Sequence, residues 1–273
     1  MTPLADPVVV VVAAAAVGYL AADGRVRRAR GRVPRRRARP AFLVGLGVML
    51  LSLTGPLDAA VTTSFGAHMV QHLLLTMVAA PLLLLGAPVT LALLAWPGRL
   101  RRALLGILHS GPARVLADPI VAWGLFFGVL WGVHLTGVYD AALRNQGLHA
   151  MEHVVLLATA LLFWMPIVRV DPVPSSLSHP ARILYLFAAM PAMTFLGLVL
   201  VSSRNVLYPT YAQTVGTAEA LADQRMAGAI MWAGTMVLIV PALAFVLLDW
   251  MRADEREAQR VDARLARSAA RSG

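Results

Sequence analysis

Five histidines set the chemistry open to this chain of 273 residues. His68-Met-Val-Gln-His72 and His149-Ala-Met-Glu-His153 are both i,i+4 pairs. On a helix that spacing puts both rings on one face, with ~5–6 Å between Cβ atoms. Each pair opens a long apolar run, and His134 lies near the end of a third. At ~1.5 Å of rise per residue, His72 is about 9 Å inside its helix, and His134 is about 6 Å from the matching end of a helix running the other way. His153 sits at a depth comparable to that of His72. The counting puts His72, His134 and His153 at one level, with His68 and His149 one turn closer to the surface as a capturing pair. Three imidazoles at one level form a trigonal site, and imidazole suits copper, zinc, iron and nickel.

Neighbouring residues extend this reading. Met69, Met151, Met226 and Met231 offer thioethers, which favour Cu(I). Glu152 lies near the histidine face and is suited to orient an imidazole. Tyr139 and Asp140 are expected beside the site as hydrogen-bond partners or proton relays. Asp58, Asp140 and Asp223 are acids at helix boundaries, with Asp223 expected to cap the last apolar helix. His109 and His179 are expected in solvated loops. Cysteine is absent, which removes disulfides, thiolate chemistry and iron–sulfur clusters. The string His149-x-x-Glu152-His153 matches that of inverted zinc proteases, which leaves the second pair unexplained. Membrane di-iron hydroxylases need more histidines than the five here. Bis-histidine heme ligation for electron transfer stays open, as does a scaffold in which the rings bind nothing. No nucleophile–base arrangement suggests an enzyme.

The elements that must position these residues are membrane helices. The chain is 59% hydrophobic and 14% charged, with a mean hydropathy of +0.70, whereas soluble domains carry about 25% charged residues. Seven stretches approach the ~20 residues that cross a bilayer: 7–22, 41–55, 66–85, 119–138, 148–168, 183–203 and 226–248. The fold class is therefore all-α and polytopic, a seven-helix domain over 1–250 followed by a charged tail over 251–273. Residues 1–6 carry no basic cluster, so the first stretch reads as a retained span rather than a cleaved signal peptide.

All 24 basic residues are arginines, and 21 of them fall in 23–40, 86–118, 169–182 and the tail. By the positive-inside rule these segments are cytoplasmic, the N-terminus is outside and the histidines lie at the outer side. The net charge of +10, concentrated in these blocks, suits anionic lipids and not nucleic acid. Segment 86–118 reads as interfacial or re-entrant. Segment 204–223, with Tyr208, Tyr211 and Glu219, reads as a plain loop long enough to serve as a lid or docking surface. The tail reads as a solvated helix with i,i+4 ion pairs.

Several strings together resemble the CtaG family: Ala67-His-Met-Val-Gln-His-Leu-Leu-Leu74 with Pro81 and Gly86-Ala-Pro88; His134 with Tyr139-Asp-Ala-Ala-Leu143; Leu148-His-Ala-Met-Glu-His153 with Phe163-Trp-Met-Pro166; and Asp223-Gln-Arg-Met-Ala-Gly-Ala-Ile-Met-Trp232. The resemblance covers roughly residues 40–250. Where the family has Gly-Gly before the Met-Trp, this chain has Ala227-Gly228. The resemblance implies a multi-pass protein of the bacterial plasma membrane that assists assembly of caa3-type cytochrome c oxidase. It further implies that the histidines hold or pass copper toward the oxidase subunit housing the binuclear centre.

Overall fold

The computed structural model describes residues 6–31, 38–172 and 177–272. Among them every regular element is helical: α1 Pro7–Arg30, α2 Ala38–Leu53, α3 Gly55–Ala60, α4 Phe65–Leu73, α5 Ala80–Leu85, α6 Pro88–Ala95, α7 Gly98–Leu108, α8 Gly111–Leu116, α9 Pro119–Leu135, α10 Val138–Arg144, α11 Gln146–Val168, α12 His179–Ser202, α13 Pro209–Val215 and α14 Thr217–Ser272. A π-helical stretch, Leu74–Ala79, joins α4 to α5. Six helical stretches are long and apolar enough to cross a membrane, and α9 with α10, bent by 69°, makes a seventh if the pair is one span. Helices suit that environment because each backbone polar group finds its partner within the segment.

Local sequence explains where the helices begin. Asp6, Ser64, Ser110, Asp118, Asn145 and Ser178 each accept a backbone N–H of the first turn that follows, satisfying donors that have no intrahelical acceptor. Proline stands in the first turn of α1, α3, α6, α8, α9, α12 and α13, where its missing N–H costs nothing.

Two apolar clusters hold the elements. The larger gathers residues of α4, α9, α11, α12 and α14, among them Phe126, Phe163, Leu186 and Leu196. The smaller joins α1, α2 and α6; in it Tyr19 stacks on Phe42 at 4.0 Å and donates to the Gly86 carbonyl at 2.7 Å. Helices α12 and α14 cross with their backbones close together: a Cβ on Gly228 would lie 2.8 Å from the Gly197 carbonyl oxygen. Small residues at such a crossing let backbones approach, so Ala227-Gly228 is a packing element, with Ala227 fully buried.

The helices extend beyond several of the expected spans, and some side chains take roles other than those expected. Helix α1 continues past Ala22 to Arg30 because Asp23, only 3% exposed, pairs with Arg27 at 2.7 Å. Part of that arginine block, residues 32–37, lies outside the described residues. Segment 86–118 forms three short helices, of which α6 is capped by Asp171 through Val89 N and Thr90 N. The helix that holds the last expected span, 226–248, starts at Thr217 and runs unbroken into the tail. Within the tail Glu257 and Arg260 pair at i,i+3. His179 is not in a loop: it opens α12, 3.4 Å from Asp249, with its ring stacked on Trp250. Arg182, read from sequence as a topology marker, is 1% exposed; it donates to Asp249 at 2.8 Å and to the Ile167 carbonyl.

Candidate metal centre

The five histidines converge at one end of the bundle. His68 and His72 come from α4, His134 from the last turn of α9, and His149 and His153 from the first two turns of α11. Helix α4 is aimed from a distance. Asp223 of α14 accepts from Phe65 N at 2.5 Å, Gly66 N at 3.2 Å and Ser64 Oγ at 3.1 Å. Asp223 therefore caps the third span and not its own helix, a correction of the expectation above. A carboxylate there also meets the positive end of the helix dipole. At the other end of α4 the backbone widens into the π-helical stretch, where the Thr76 hydroxyl donates to the His72 carbonyl at 2.6 Å and Trp164 Nε1 donates to the Thr76 carbonyl at 2.8 Å. Pro81 follows directly, so the Met77 carbonyl has no i+4 N–H to accept and the ring crowds it.

His68 is the hub. Its Nε2 lies 3.2 Å from Nε2 of His149, and its ring centroid is 4.4 Å from His72 and 5.9 Å from His153. Two overlapping groups bring ligand atoms within 4.8 Å of one another: His68, His149 and His153, and His68, His72 and Glu152. His72, His134 and His153, placed at one level by residue counting, do not all fall in one of these groups. His134 faces His72 with centroids 5.8 Å apart, outside both groups. Counting along helices gives depth but not rotation about each helix axis, which decides which rings meet.

Hydrogen bonds fix two of the tautomers. His134 Nδ1 lies 2.8 Å from the Leu130 carbonyl. A carbonyl only accepts, so Nδ1 carries the proton and Nε2 keeps its lone pair. For His68 the chain is longer. Tyr211 donates to the Val61 carbonyl at 2.8 Å, leaving its oxygen to accept from Tyr139 at 3.2 Å. With that bond made, Tyr139 accepts from His68 Nδ1, 2.5 Å away. His68 Nε2 is thereby also a free lone pair, turned toward His149. Outer partners that set a ring's tautomer in this way are characteristic of histidine that binds metal.

Other polar atoms here have no partner. Among the described residues, both ring nitrogens of His72, Nε2 of His134 and His153, both Glu152 carboxyl oxygens and Gln71 Oε1 are buried without a hydrogen bond. His72 Nε2 faces Glu152 Oε1 at 3.5 Å, beyond good hydrogen-bond range. Each buried orphan costs about 1–3 kcal/mol, and here they concentrate in one place. Gln71 was not singled out in the sequence. Its Nε2 donates to the Ser52 carbonyl at 2.7 Å and to Asp58 at 3.1 Å, and the signal for it was a polar side chain within an apolar span.

Segment 204–223 is a folded roof and not a plain loop. Tyr208 and Tyr211 are each 2% exposed and, with Tyr139 and Phe65, form an aromatic layer over the rings. Tyr208 donates to the His134 carbonyl at 2.9 Å. Burial raises the pKa of both roof phenols, so they remain proton donors. Asp140, also expected at a solvated boundary, is 7% exposed; it accepts from Thr210 N at 2.9 Å and pairs with Arg144 at 2.8 Å, tying the roof to α10. Glu219 is exposed. Of the methionines, Met69 and Met231 are buried in the main core, whereas Met151 and Met226 are 61% and 59% exposed and turn away from the rings.

A helical membrane protein with a buried histidine cluster is the class that this fold and geometry define. The chain belongs to the cytochrome c oxidase caa3 assembly factor family (Caa3_CtaG), which matches residues 17–253. It is similar to proteins described as uncharacterized in Mycobacterium bovis and Mycobacterium tuberculosis, each 32% identical over 257 residues, covering 90% of this chain and 39% of the relative. A Mycobacterium leprae protein, also described as uncharacterized, matches with the same identity and coverage. The chain thus spans about two-fifths of the length of these curated relatives, 39%. No solved structure matches significantly.

Proposed function

We propose that this protein serves cytochrome c oxidase assembly by binding copper, as Cu(I), in the histidine cluster and passing it to the oxidase subunit that houses the binuclear centre. The observation that carries this reading is the concentration of buried, unpartnered imidazole nitrogens and carboxylate oxygens around His68. A cation would satisfy them. Two nitrogens bound at ~2.0–2.1 Å in tetrahedral geometry stand about 3.3 Å apart, close to the 3.2 Å between His68 and His149. The ion is held in turn by His149, His68 and His153, and by His68, His72 and Glu152, with His134 approaching His72 from the far side. Overlapping sites that share His68 permit exchange, which delivery requires. The reading is non-enzymatic: the chain's residues bind, hold and release the ion.

Bis-histidine heme is the second reading. Axial nitrogens at ~2.0 Å on either side of an iron need about 4 Å between them and a porphyrin in the gap. The 3.2 Å separation and the tight ring packing around His68 favour a bare ion. We further place the protein in a bacterial plasma membrane, the histidine end outward and the arginine-rich segments against anionic cytoplasmic lipid.

Metal content after Cu(I) loading and desalting of detergent-purified protein tests the proposal. About one copper per chain in the wild type, lost in His72→Ala/His153→Ala with the fold intact by circular dichroism, is the expected result. A Soret band in the purified protein selects heme. Full copper retention in the double variant overturns the ligand assignment.

A further inference from the structure

Resting on the copper-binding reading, we infer that the ion reaches the cluster sideways, through a cleft between α1, the α2–α3 corner and α11, and not through the roof. The roof is shut: Phe65, Tyr139, Tyr208 and Tyr211 are at most 2% exposed. Beneath it His68, His72 and His134 are buried at 0%, 4% and 2% exposure. His149 alone among the five rings is not buried. It opens into a cavity of about 520 Å³ whose polar lining is Asp6, Asp58, Gln146, His149 and His153.

The order of groups along this cleft suits a cation. Two carboxylates stand among its polar lining, and such a charge raises the local cation concentration. His149 is the ring they lead to, and its Nε2 is 3.2 Å from that of His68. His153, 8% exposed and with an unpartnered Nε2, lines the same cavity. From His68 the next ring, His72, is 4.4 Å away between centroids. From His149 inward these ring-to-ring steps are short enough for one ligand to bind before the previous one releases. Helix α1 supplies the far wall through Val8 and Val11, and these residues precede the family-matched segment 17–253.

The test compares Cu(I) uptake from a colorimetric chelator by the full chain in detergent. Val11→Trp fills the cleft without altering a histidine-bearing helix; Val10→Trp, on the same helix turn but absent from the cavity lining, is the control. Asp58→Asn removes charge while keeping an acceptor for Gln71. The port predicts that Val11→Trp slows uptake by at least about tenfold at unchanged final stoichiometry, that Asp58→Asn slows it by about tenfold, and that Val10→Trp matches the wild type. Wild-type rates in both Val11→Trp and Asp58→Asn overturn the port while leaving copper binding standing. A Val11→Trp protein that loses stoichiometry but not rate per site also overturns it. A wild type that takes up no copper overturns the binding reading and the port with it.

Discussion

The Tyr139 hydroxyl stands 2.5 Å from Nδ1 of His68, and with Tyr139 donating to Tyr211 the proton between them belongs to the histidine. That assignment follows from the onward bonds of Tyr139 to Tyr211 and of Tyr211 to the Val61 carbonyl. The loop before α4 thus controls, through two phenols, which nitrogen of the central ring is free.

Tyr139→Phe deletes this relay without removing a ligand. Loss of an outer partner typically costs 10–100-fold in metal affinity, so Cu(I) affinity by chelator competition should fall by about that factor, with saturating stoichiometry kept. An unchanged affinity would show that the phenol only packs.

His68 belongs to both ligand groups and His134 to neither. His68→Ala should therefore abolish copper retention after desalting, whereas His134→Ala should lower affinity and leave one ion per chain at saturation. Equal loss in the two variants would restore the even triad that residue counting suggests.

Asp223→Ala removes the cap of α4 and leaves Phe65 N and Gly66 N without it. Losing such a cap costs about 0.5–2 kcal/mol, to be read as a lower midpoint of thermal unfolding in detergent. Because α4 carries His68 and His72, weaker copper binding should accompany the loss. Destabilisation with native affinity would separate the cap from the site.

At the opposite end, Arg182 is buried with its guanidinium on Asp249 and the Ile167 carbonyl. Asp249→Ala leaves that cation without its carboxylate, whereas Arg182→Met leaves only a half-exposed acid. The aspartate variant should be the less stable of the two in a detergent melt. The reverse order would mean that Arg182 contributes through packing of its stem.

Much of the bundle is written locally. Apolar runs, serine and aspartate caps, first-turn prolines and the two His-x-x-x-His strings are all short-range patterns, and the helices and the convergence of the five rings follow from them. Asp223 shows where such reading stops: it stands near the start of its own helix, yet its carboxylate serves a backbone 158 residues away. Arg182 was hidden for a related reason. An arginine at the edge of a span looks like a topology marker until the partner on another helix is known. Segment 204–223 carries turn residues and polar side chains, so nothing local betrays that Tyr208 and Tyr211 find an aromatic layer to join.

The π-helical stretch after His72 has a bearing on how this helix is compared with others. A wider turn consumes extra backbone for the same rotation, so a wheel drawn at 3.6 residues per turn from Phe65 onward misassigns the positions beyond Ala79 by about 100°. Deleting one residue between 74 and 79 would restore ordinary winding and keep the two imidazoles of α4 in place relative to α5, whereas winding the full stretch as α-helix would swing them by about 100°. The stretch acts as a phase adjuster, letting one continuous helix present ligands on one side at its start and core leucines on another at its end.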